Sequence, residues 1–211
     1  MDRYIQIDTF SSFSRVSRET ITSLIKYENL LIRANKNLNL IGNSTINNIW
    51  NRHFLDSVQV IDFIDKKDKT LADLGSGAGF PGLVLAIAFR DRKISTKVKL
   101  IEKSNKKVNF LRNVISELNL NVDVIHKNIL EETNKFSHDI FVTRAFKPIQ
   151  VILQLIHNKA ENWKKIIIFL GKTGKSELLQ ASKSWDIEYK QRVSATSNDS
   201  IIIEINKLRK K

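Results

Sequence analysis

The sequence has no cysteine in its 211 residues. This absence excludes disulfides, thiolate metal ligands and thiol nucleophiles, and it suits a reducing compartment. Long apolar runs are also missing: the longest, such as IIIFL at 166–170, match a strand rather than a membrane span. The stretch MDRYIQIDTFSSFSR at 1–15 lacks the apolar core of a signal peptide. We therefore expect a soluble, cytoplasmic protein with no membrane partner.

Glycine and proline are scarce and unevenly distributed. The chain has seven glycines and two prolines, and four of those glycines and one proline fall in DLGSGAGFPG at 73–82. Glycine permits positive φ and lets a ligand approach the backbone closely. One glycine would suffice for a tight strand-to-helix turn, so this concentration favours a ligand-binding loop.

Basic residues outnumber acidic ones. The chain has 35 Lys and Arg against 22 Asp and Glu, a net charge of +13. Such a surface attracts polyphosphates through counterion release, which favours a nucleic-acid partner. The same excess can arise from a compositional bias, because Lys, Asn and Ile are all frequent in this chain. Charge alone leaves both interpretations open.

Hydrophobic periodicity changes near residue 65, which predicts an N-terminal helical extension at 1–66, packed on an α/β domain at 67–211. The extension has two amphipathic patterns, centred on 21–31 and 46–58. Between them lies NKNLNLIGNST at 35–45, where Ser44 or Thr45 is a candidate N-cap.

The second part alternates strand-like and helical patterns. Its first five strands are mostly separated by helices, which predicts a parallel sheet with helices on both faces. The short link SATSNDS joins the last two strands, and it permits an antiparallel hairpin but no parallel crossover. The fold class is therefore α/β with a seven-stranded, mostly parallel sheet, whose ligands should bind at the carboxyl ends of the strands.

The glycine loop lies directly between a predicted strand and a predicted helix. Its residues Gly77, Gly79 and Gly82 satisfy the dinucleotide pattern G-x-G-x-x-G, and Glu102 ends the next strand, where it could hold ribose hydroxyls. The match starts two residues late, since Gly75 already ends the strand. An adenosyl cofactor without a pyrophosphate needs the same turn and the same acid, so the loop alone does not decide between them.

Several motifs in order resemble one family. DLGSGAGFPGLVLA resembles the first motif of S-adenosylmethionine-dependent methyltransferases. The Phe-Pro-Gly ending, NKNLNL, RHFLDS at 52–57, IEKSNKKVNFLRNV and VTRAF at 142–146 resemble the small-subunit (16S) ribosomal RNA guanine-N7 methyltransferases, also called glucose-inhibited division protein B. The resemblance covers roughly residues 25–175. It implies a Rossmann-like class I methyltransferase fold, S-adenosylmethionine as cofactor, and methyl transfer to N7 of the 530-loop guanosine.

The resemblance also implies roles for particular residues. The expected cofactor-binding residues are Gly75, Gly77, Gly79, Phe80, Glu102, Ile129, Leu130 and Arg144. Glu102 would hold the ribose, Ile129 and Leu130 would line the adenine slot, and Arg144 would lie beside cofactor and target base as the catalytic residue.

RNA contacts are expected at Arg52, His53, Phe146 and Lys172. The chain departs from the family at Ala34, where an aromatic is usual, and at Lys172, because Leu-Gly-Lys replaces Leu-Lys-Gly. The arginine common before the last strand is absent from SNDSIIIE. These departures concern RNA contacts more than cofactor binding.

The residue inventory fits methylation at guanine N7. That nitrogen attacks with an in-plane lone pair, so no general base is required and alignment can carry catalysis. Methylation at pyrimidine C5 usually needs a cysteine, and exocyclic amines commonly use an Asn-Pro-Pro-aromatic loop where this chain has Thr143-Arg144-Ala145-Phe146. A guanidinium can pair with guanine O6, and an aromatic can stack an extruded base. The alternatives are a core Phe146 and a solvated Arg144.

No metal site is expected, because the four histidines at 53, 126, 138 and 157 have no metal-ligand spacing. The partner implied by the resemblance is 16S ribosomal RNA or the small ribosomal subunit, bound by a monomer. Two alternatives remain at this point: a nicotinamide-dependent oxidoreductase, and a non-catalytic RNA-binding module.

Overall fold

The computed structural model describes residues 2–211. Its α-helices are α1 (Arg3–Ser14), α2 (Arg18–Leu38), α3 (Asp56–Val58), α4 (Gly82–Arg92), α5 (Asn105–Glu117), α6 (Ile149–Lys159) and α7 (Gly174–Ala181). Its strands are β1 (Thr70–Leu74), β2 (Lys97–Glu102), β3 (Val122–His126), β4 (Phe136–Ser137), β5 (Ile140–Arg144), β6 (Ala160–Glu161), β7 (Lys165–Leu170), β8 (Trp185–Ser194) and β9 (Ser197–Lys210).

Seven strands form one sheet in the order β3-β2-β1-β5-β7-β9-β8. Strands β3, β2, β1, β5 and β7 run parallel, whereas β9 is antiparallel to both β7 and β8. The parallel sheet with an antiparallel hairpin is therefore confirmed. The carboxyl ends of the five parallel strands lie at one edge, where the functional residues were expected.

Two apolar cores lie on opposite faces of the sheet, because successive strand side chains point to opposite faces. Leu71 and Leu100 contribute to the first core, which α2, α4 and α5 cover. Ala72 and Ile101 contribute to the second core, which α6 and α7 cover. Helices therefore cover both faces, as predicted.

The N-terminal helices contact the rest of the protein extensively. α2 is capped by Ser17, whose hydroxyl accepts from Thr20 N at 3.2 Å, and it packs against α4 and α5. Phe10 of α1 and Leu31 of α2 are fully buried in the first core. The predicted extension at 1–66 begins at Met1, which lies outside the described residues, and its boundary as a unit stays a prediction.

Local structure differs from the sequence-based expectation in several places. α1 was not predicted, and α2 extends into the expected loop at 35–45. The expected N-cap at Ser44 or Thr45 is wrong, because a 3₁₀ turn at Asn43–Asn48 follows Gly42 without a side-chain cap. This turn continues as a π-helical stretch at Trp50–Leu55, then α3 and a 3₁₀ turn at Ile61–Phe63.

A separate two-stranded pair, β4 with β6, was also not predicted. Each of its strands has two residues, too few to produce a detectable alternation. Among the helices of residues 2–211, none has both the length and the apolar character required to cross a bilayer.

Candidate active site at the carboxyl ends of the strands

A cavity of about 660 Å³ opens at the carboxyl edge of the sheet. Nine of the residues singled out from the sequence line it: Arg52, His53, Gly75, Gly77, Phe80, Glu102, Ile129, Arg144 and Phe146. Gly79, Leu130 and Lys172 do not belong to this lining. Leu130 and Lys172 are exposed next to lining residues, whereas Gly79 is a buried residue of the glycine loop.

The glycine loop turns sharply at three positions. Gly75, Gly77 and Gly79 have φ values of 72°, 58° and 101°, which side chains rarely tolerate. A Cβ at Gly75 would overlap the ring of Phe146, which is half-buried, packs against the second core and lines the cavity. The backbone of Gly75 is therefore open to the cavity and in contact with Phe146.

Gly79 and Gly82 serve the packing of the loop. A Cβ at Gly79 would collide with the side chains of Leu83 and Tyr27. The Tyr27 hydroxyl, from α2, donates to the carbonyl of Ala78 in the loop. A Cβ at Gly82 would collide with Leu100 and the Asp73 carboxylate. The N-terminal helix α2 thus holds the loop directly.

Asp73, the residue before the last of β1, is a fully buried carboxyl group. Its Oδ2 accepts from Gly82 N at 2.9 Å, and its Oδ1 has no hydrogen-bond partner among the described residues. Burial raises the pKa of Asp73 to about 7, although the hydrogen bond from Gly82 and the positive charge of Arg144 lower it. Asp73 therefore fixes the start of α4 rather than facing the cavity.

Glu102, the last residue of β2, connects the glycine loop after β1 with the start of the segment after β2. Its two oxygens accept from Gly77 N at 2.9 Å and Ser104 N at 2.8 Å. A carboxylate has about four lone-pair sites, so acceptor capacity remains for hydroxyls of a ligand. Ile129 is buried in the same wall of the cavity and supplies an apolar surface. This end of the cavity suits a nucleoside.

Arg144 extends from the end of β5 into a cluster of side chains rather than into solvent. The other members of this cluster are Arg52, His53 and Asp56. Arg144 Nη1 donates to Asp56 Oδ2 and to the carbonyl of Arg52, each at 3.0 Å, and its Nη2 lies 2.9 Å from His53 Nδ1. Its guanidinium carbon lies 5.0 Å from the centroid of the Phe80 ring, a cation–π distance. The alternative of a solvated arginine is therefore wrong.

His53 is held as a neutral imidazole. Its ring stacks on Phe80 with centroids 4.9 Å apart. Burial is the largest cause that lowers the pKa of His53, the positive charges of Arg144 and Arg52 add to it, and together they bring the pKa to about 3. Since Nδ1 accepts from Arg144, the proton lies on Nε2, which donates to Thr45 Oγ1 at 2.9 Å.

Asp56 completes the cluster, and sequence reasoning did not single it out. It lies within RHFLDS, but its partners Arg144, Ser194 and Thr196 are distant in sequence. No local pattern signals such contacts. The Ser194 and Thr196 side chains bring the β8–β9 turn to the wall of the cavity.

The cluster leaves no obvious proton acceptor. Both ring nitrogens of His53 are engaged in hydrogen bonds, and the Asp56 carboxylate accepts four, which matches its lone-pair capacity. The residues at 2–211 contain no group of three His, Asp or Glu that could hold a metal ion. Such an arrangement suits a reaction driven by alignment and electrostatics rather than by proton abstraction.

The cavity rim is rich in positive charge. Lys103, Lys107 and Lys127 line it near Glu102, and Lys147 lines it near Phe146. Lys127 is paired with Glu132. The exposed Arg52 adds a further charge above His53. A polyanion could therefore approach the mouth of the cavity favourably.

Solved structures share this architecture at low sequence identity. A mitomycin 7-O-methyltransferase, MmcR, aligns with a TM-score of 0.60 and 12% identity over 94% of this chain and 70% of its own. M. capricolum TrmK, solved with S-adenosyl-homocysteine, aligns with a TM-score of 0.53 and 22% identity over 71% and 66%. These similarities concern the fold alone, and they confirm the Rossmann-like class I methyltransferase fold.

Sequence comparison is more specific. The family described as rRNA small subunit methyltransferase G matches residues 20–202. Ribosomal RNA small subunit methyltransferase G of Pelagibacter ubique is 37% identical over 93% of this chain and 92% of its own. The protein of the same name from Rickettsia akari is 36% identical over 92% and 98%. This chain therefore belongs to the rRNA small subunit methyltransferase G family.

Proposed function

We propose that this protein transfers the methyl group of S-adenosylmethionine to N7 of a guanine in 16S ribosomal RNA. Family membership supports the reaction class and the RNA. The observation that carries the N7 assignment is the engaged state of His53 and Asp56, which leaves neither free to act as a base. N7 needs none, because its lone pair is available before attack.

The residues at the glycine loop fit the cofactor. The half-buried Gly75 and Gly77 expose backbone at the cavity, and Glu102 keeps acceptor capacity for the ribose hydroxyls. Ile129 offers an apolar wall to the adenine, and Leu130 follows it at the exposed rim. When bound, S-adenosylmethionine supplies an electrophilic methyl group on a sulfonium.

The protein's own contribution is alignment and charge. Phe80 of the glycine loop and Arg144 of the cluster around Asp56 contact each other and both line the cavity, where the methyl acceptor would approach. Arg144 is the residue to which we assign the catalytic role, through orientation of the guanine by its remaining N–H groups. Phe146 supplies a ring on which the base can stack.

The RNA is proposed to approach over the positively charged rim, with Arg52, His53, Phe146 and Lys172 as contacts. Lys172 lies outside the cavity lining and would contact RNA only beyond its mouth. The partner is proposed to be the small ribosomal subunit or its RNA in the cytoplasm, bound by a monomer. The helical extension at 1–66 would support the glycine loop on one side.

Two measurements test this function. Calorimetry should show saturable binding of S-adenosylmethionine, and Gly75→Asp should abolish it, because the new side chain must displace Phe146. Binding of NADH instead would indicate the oxidoreductase alternative. Methyl transfer to unmethylated small-subunit RNA should then modify a guanine at N7. Modification at a pyrimidine or an exocyclic amine would refute the assignment, and RNA binding without transfer would favour a non-catalytic module.

A further inference from the structure

The two oxygens of Asp56 contact two different parts of the protein. Oδ2 accepts from Arg144 Nη1 at 3.0 Å. Oδ1 accepts from Ser194 Oγ at 3.1 Å, Thr196 Oγ1 at 2.8 Å and Gln59 Nε2 at 2.9 Å. A single carboxylate therefore connects the end of β5 with the β8–β9 turn.

The attachment of the β8–β9 turn does not depend on Asp56 alone. Gln59 Oε1 accepts from Ala195 N at 2.8 Å, and its Nε2 donates to Ser194 Oγ at 3.1 Å. Arg192 donates to the carbonyl of Gln59. The turn would remain docked without the Asp56 carboxylate, so the negative charge has a use beyond docking.

Arg144 has three hydrogen-bond acceptors: the Asp56 carboxylate, the carbonyl of Arg52 and the neutral ring of His53. Of these three acceptors, only Asp56 carries a charge. Both members of the ion pair are only 16% exposed, so solvent screens their attraction less than at an open surface. Hydrogen bonds between ionised partners are shorter and stronger than neutral ones. The Asp56 carboxylate thus dominates the orientation of the guanidinium that covers Phe80.

We propose that Asp56 is a positioning residue that couples the orientation of Arg144 to the β8–β9 turn. The inference rests on the proposed methyl transfer, for which it adds a residue that lines the cavity and acts through Arg144. Ser194 and Thr196 line the cavity beside β9, which three strands separate from β2 and its last residue Glu102, and substrate on that side would contact the turn. A contact at the turn would be transmitted through Oδ1 to Oδ2 and so to the arginine.

Turnover of Asp56→Asn tests the positioning role. We expect kcat for methyl transfer to fall about 10-fold or more, with KM for S-adenosylmethionine changed less than about 3-fold. The matched control is Asp62→Asn, which removes a carboxylate paired with Arg92 at the surface and should leave turnover unchanged. Equal turnover of the two variants would overturn the proposal, and so would a loss confined to KM.

A double-variant cycle separates positioning from a general structural defect. Adding Asp56→Asn to Arg144→Lys should lower kcat no more than about 2-fold beyond Arg144→Lys alone, because coupled residues are non-additive. Losses that multiply would overturn the coupling. Removing two of the three Oδ1 donors with Ser194→Ala and Thr196→Val should lower kcat several-fold, whereas Asn198→Ala, on the exposed side of the same hairpin, should not.

A measurement on the protein alone distinguishes failure of this inference from failure of the proposed function. In protein labelled with ¹⁵N-arginine, the Arg144 guanidinium should show slowly rotating, resolved Nη signals that Asp56→Asn abolishes and Asp62→Asn preserves. Signals unchanged in Asp56→Asn would overturn the inference even if methyl transfer is confirmed. If no RNA is methylated, the signals still decide whether Asp56 orients Arg144.

Discussion

Gly82 and Gly171 differ at the residue scale in the space around their Cα atoms. A Cβ at Gly82 would collide with the buried Leu100 and Asp73, whereas a Cβ at Gly171 would have no atom of another described residue beyond its chain neighbours within 4 Å. Gly82→Ala should therefore lower the free energy of unfolding by about 1–3 kcal/mol. Gly171→Ala should change it by less than about 1 kcal/mol, with a stabilising sign favoured by the loss of unfolded-state entropy. Urea unfolding measures both, and equal destabilisation would contradict the packing argument.

His53 should make stability depend on pH in a definite direction. Its folded pKa of about 3 lies below the ordinary value, so the unfolded chain binds more protons between about pH 6.5 and 3. Stability contributed by the neutral imidazole is present above that window and is lost as the pH falls through it.

The variant His53→Asn isolates this contribution, because its side chain keeps an oxygen acceptor for Arg144 but does not titrate. Between pH 6 and 4, the wild type should lose stability faster than His53→Asn, by at most about 1.4 kcal/mol per pH unit. Urea unfolding at several pH values gives the difference, which also cancels the similar effect of His138, whose pKa burial lowers to about 4. Parallel pH profiles would show that His53 is not held neutral.

At the scale of elements, α2 supports the glycine loop through one buried hydroxyl. Tyr27→Phe removes the donor to Ala78 O and leaves a buried carbonyl without its partner, at a cost of about 1–3 kcal/mol. The loosened loop should also bind S-adenosylmethionine more weakly. Tyr4→Phe on α1 is the control, since Tyr4 is 79% exposed, and it should change neither the unfolding midpoint nor the calorimetric affinity.

The sequence patterns predicted the helices and strands whose buried residues recur at a single spacing, either that of a helix or that of a strand. α2 and α5 each present an apolar stripe to the first core, and the sheet strands alternate between the two cores. α1 was not predicted, because Tyr4, Ile5 and Phe13 are exposed and its apolar residues therefore do not mark one buried face. The stretch at 43–63 has the apolar spacing of a helix, but its 3₁₀ and π turns depend on tertiary contacts.

The candidate site was predictable only where its residues are close in sequence or belong to a recognisable motif. Gly75, Phe80, Glu102 and Arg144 follow strand ends, which topology brings to one edge. Asp56 could not be found in this way, because its importance depends on a hydrogen bond from Thr196 in the β8–β9 turn, which is distant in sequence. The engaged state of His53 likewise depends on Arg144, 91 residues away.

At the scale of the whole molecule, the net charge of +13 predicts a salt-dependent partner. Affinity for 16S ribosomal RNA should fall about 10-fold or more between 50 and 200 mM salt, because each contacted phosphate releases counterions. S-adenosylmethionine carries no phosphate, so its affinity should change little over the same range. Fluorescence anisotropy and calorimetry compare the two, and equal salt dependence would contradict an electrostatic RNA surface.

Charge position can be tested with a matched pair of lysines. Lys147→Gln removes an exposed charge at the cavity rim and should reduce the salt slope by about 0.7–0.9. Lys97→Gln removes a charge paired with Asp123 at the amino end of β2, on the opposite edge of the sheet, and should leave the slope unchanged. Equal effects would indicate that RNA binding follows total charge rather than the rim.

The position of β9 has a consequence for genetics. Although β9 follows the eight other strands of residues 2–211, it lies inside the sheet between β7 and β8, and β8 has no other sheet neighbour in that part of the chain. A stop codon anywhere before residue 197 would remove an interior strand together with Ile201, Ile202 and Ile203 of the two cores. Late nonsense and frameshift alleles should therefore be as fully inactivating as early ones, and only missense changes should yield partial phenotypes.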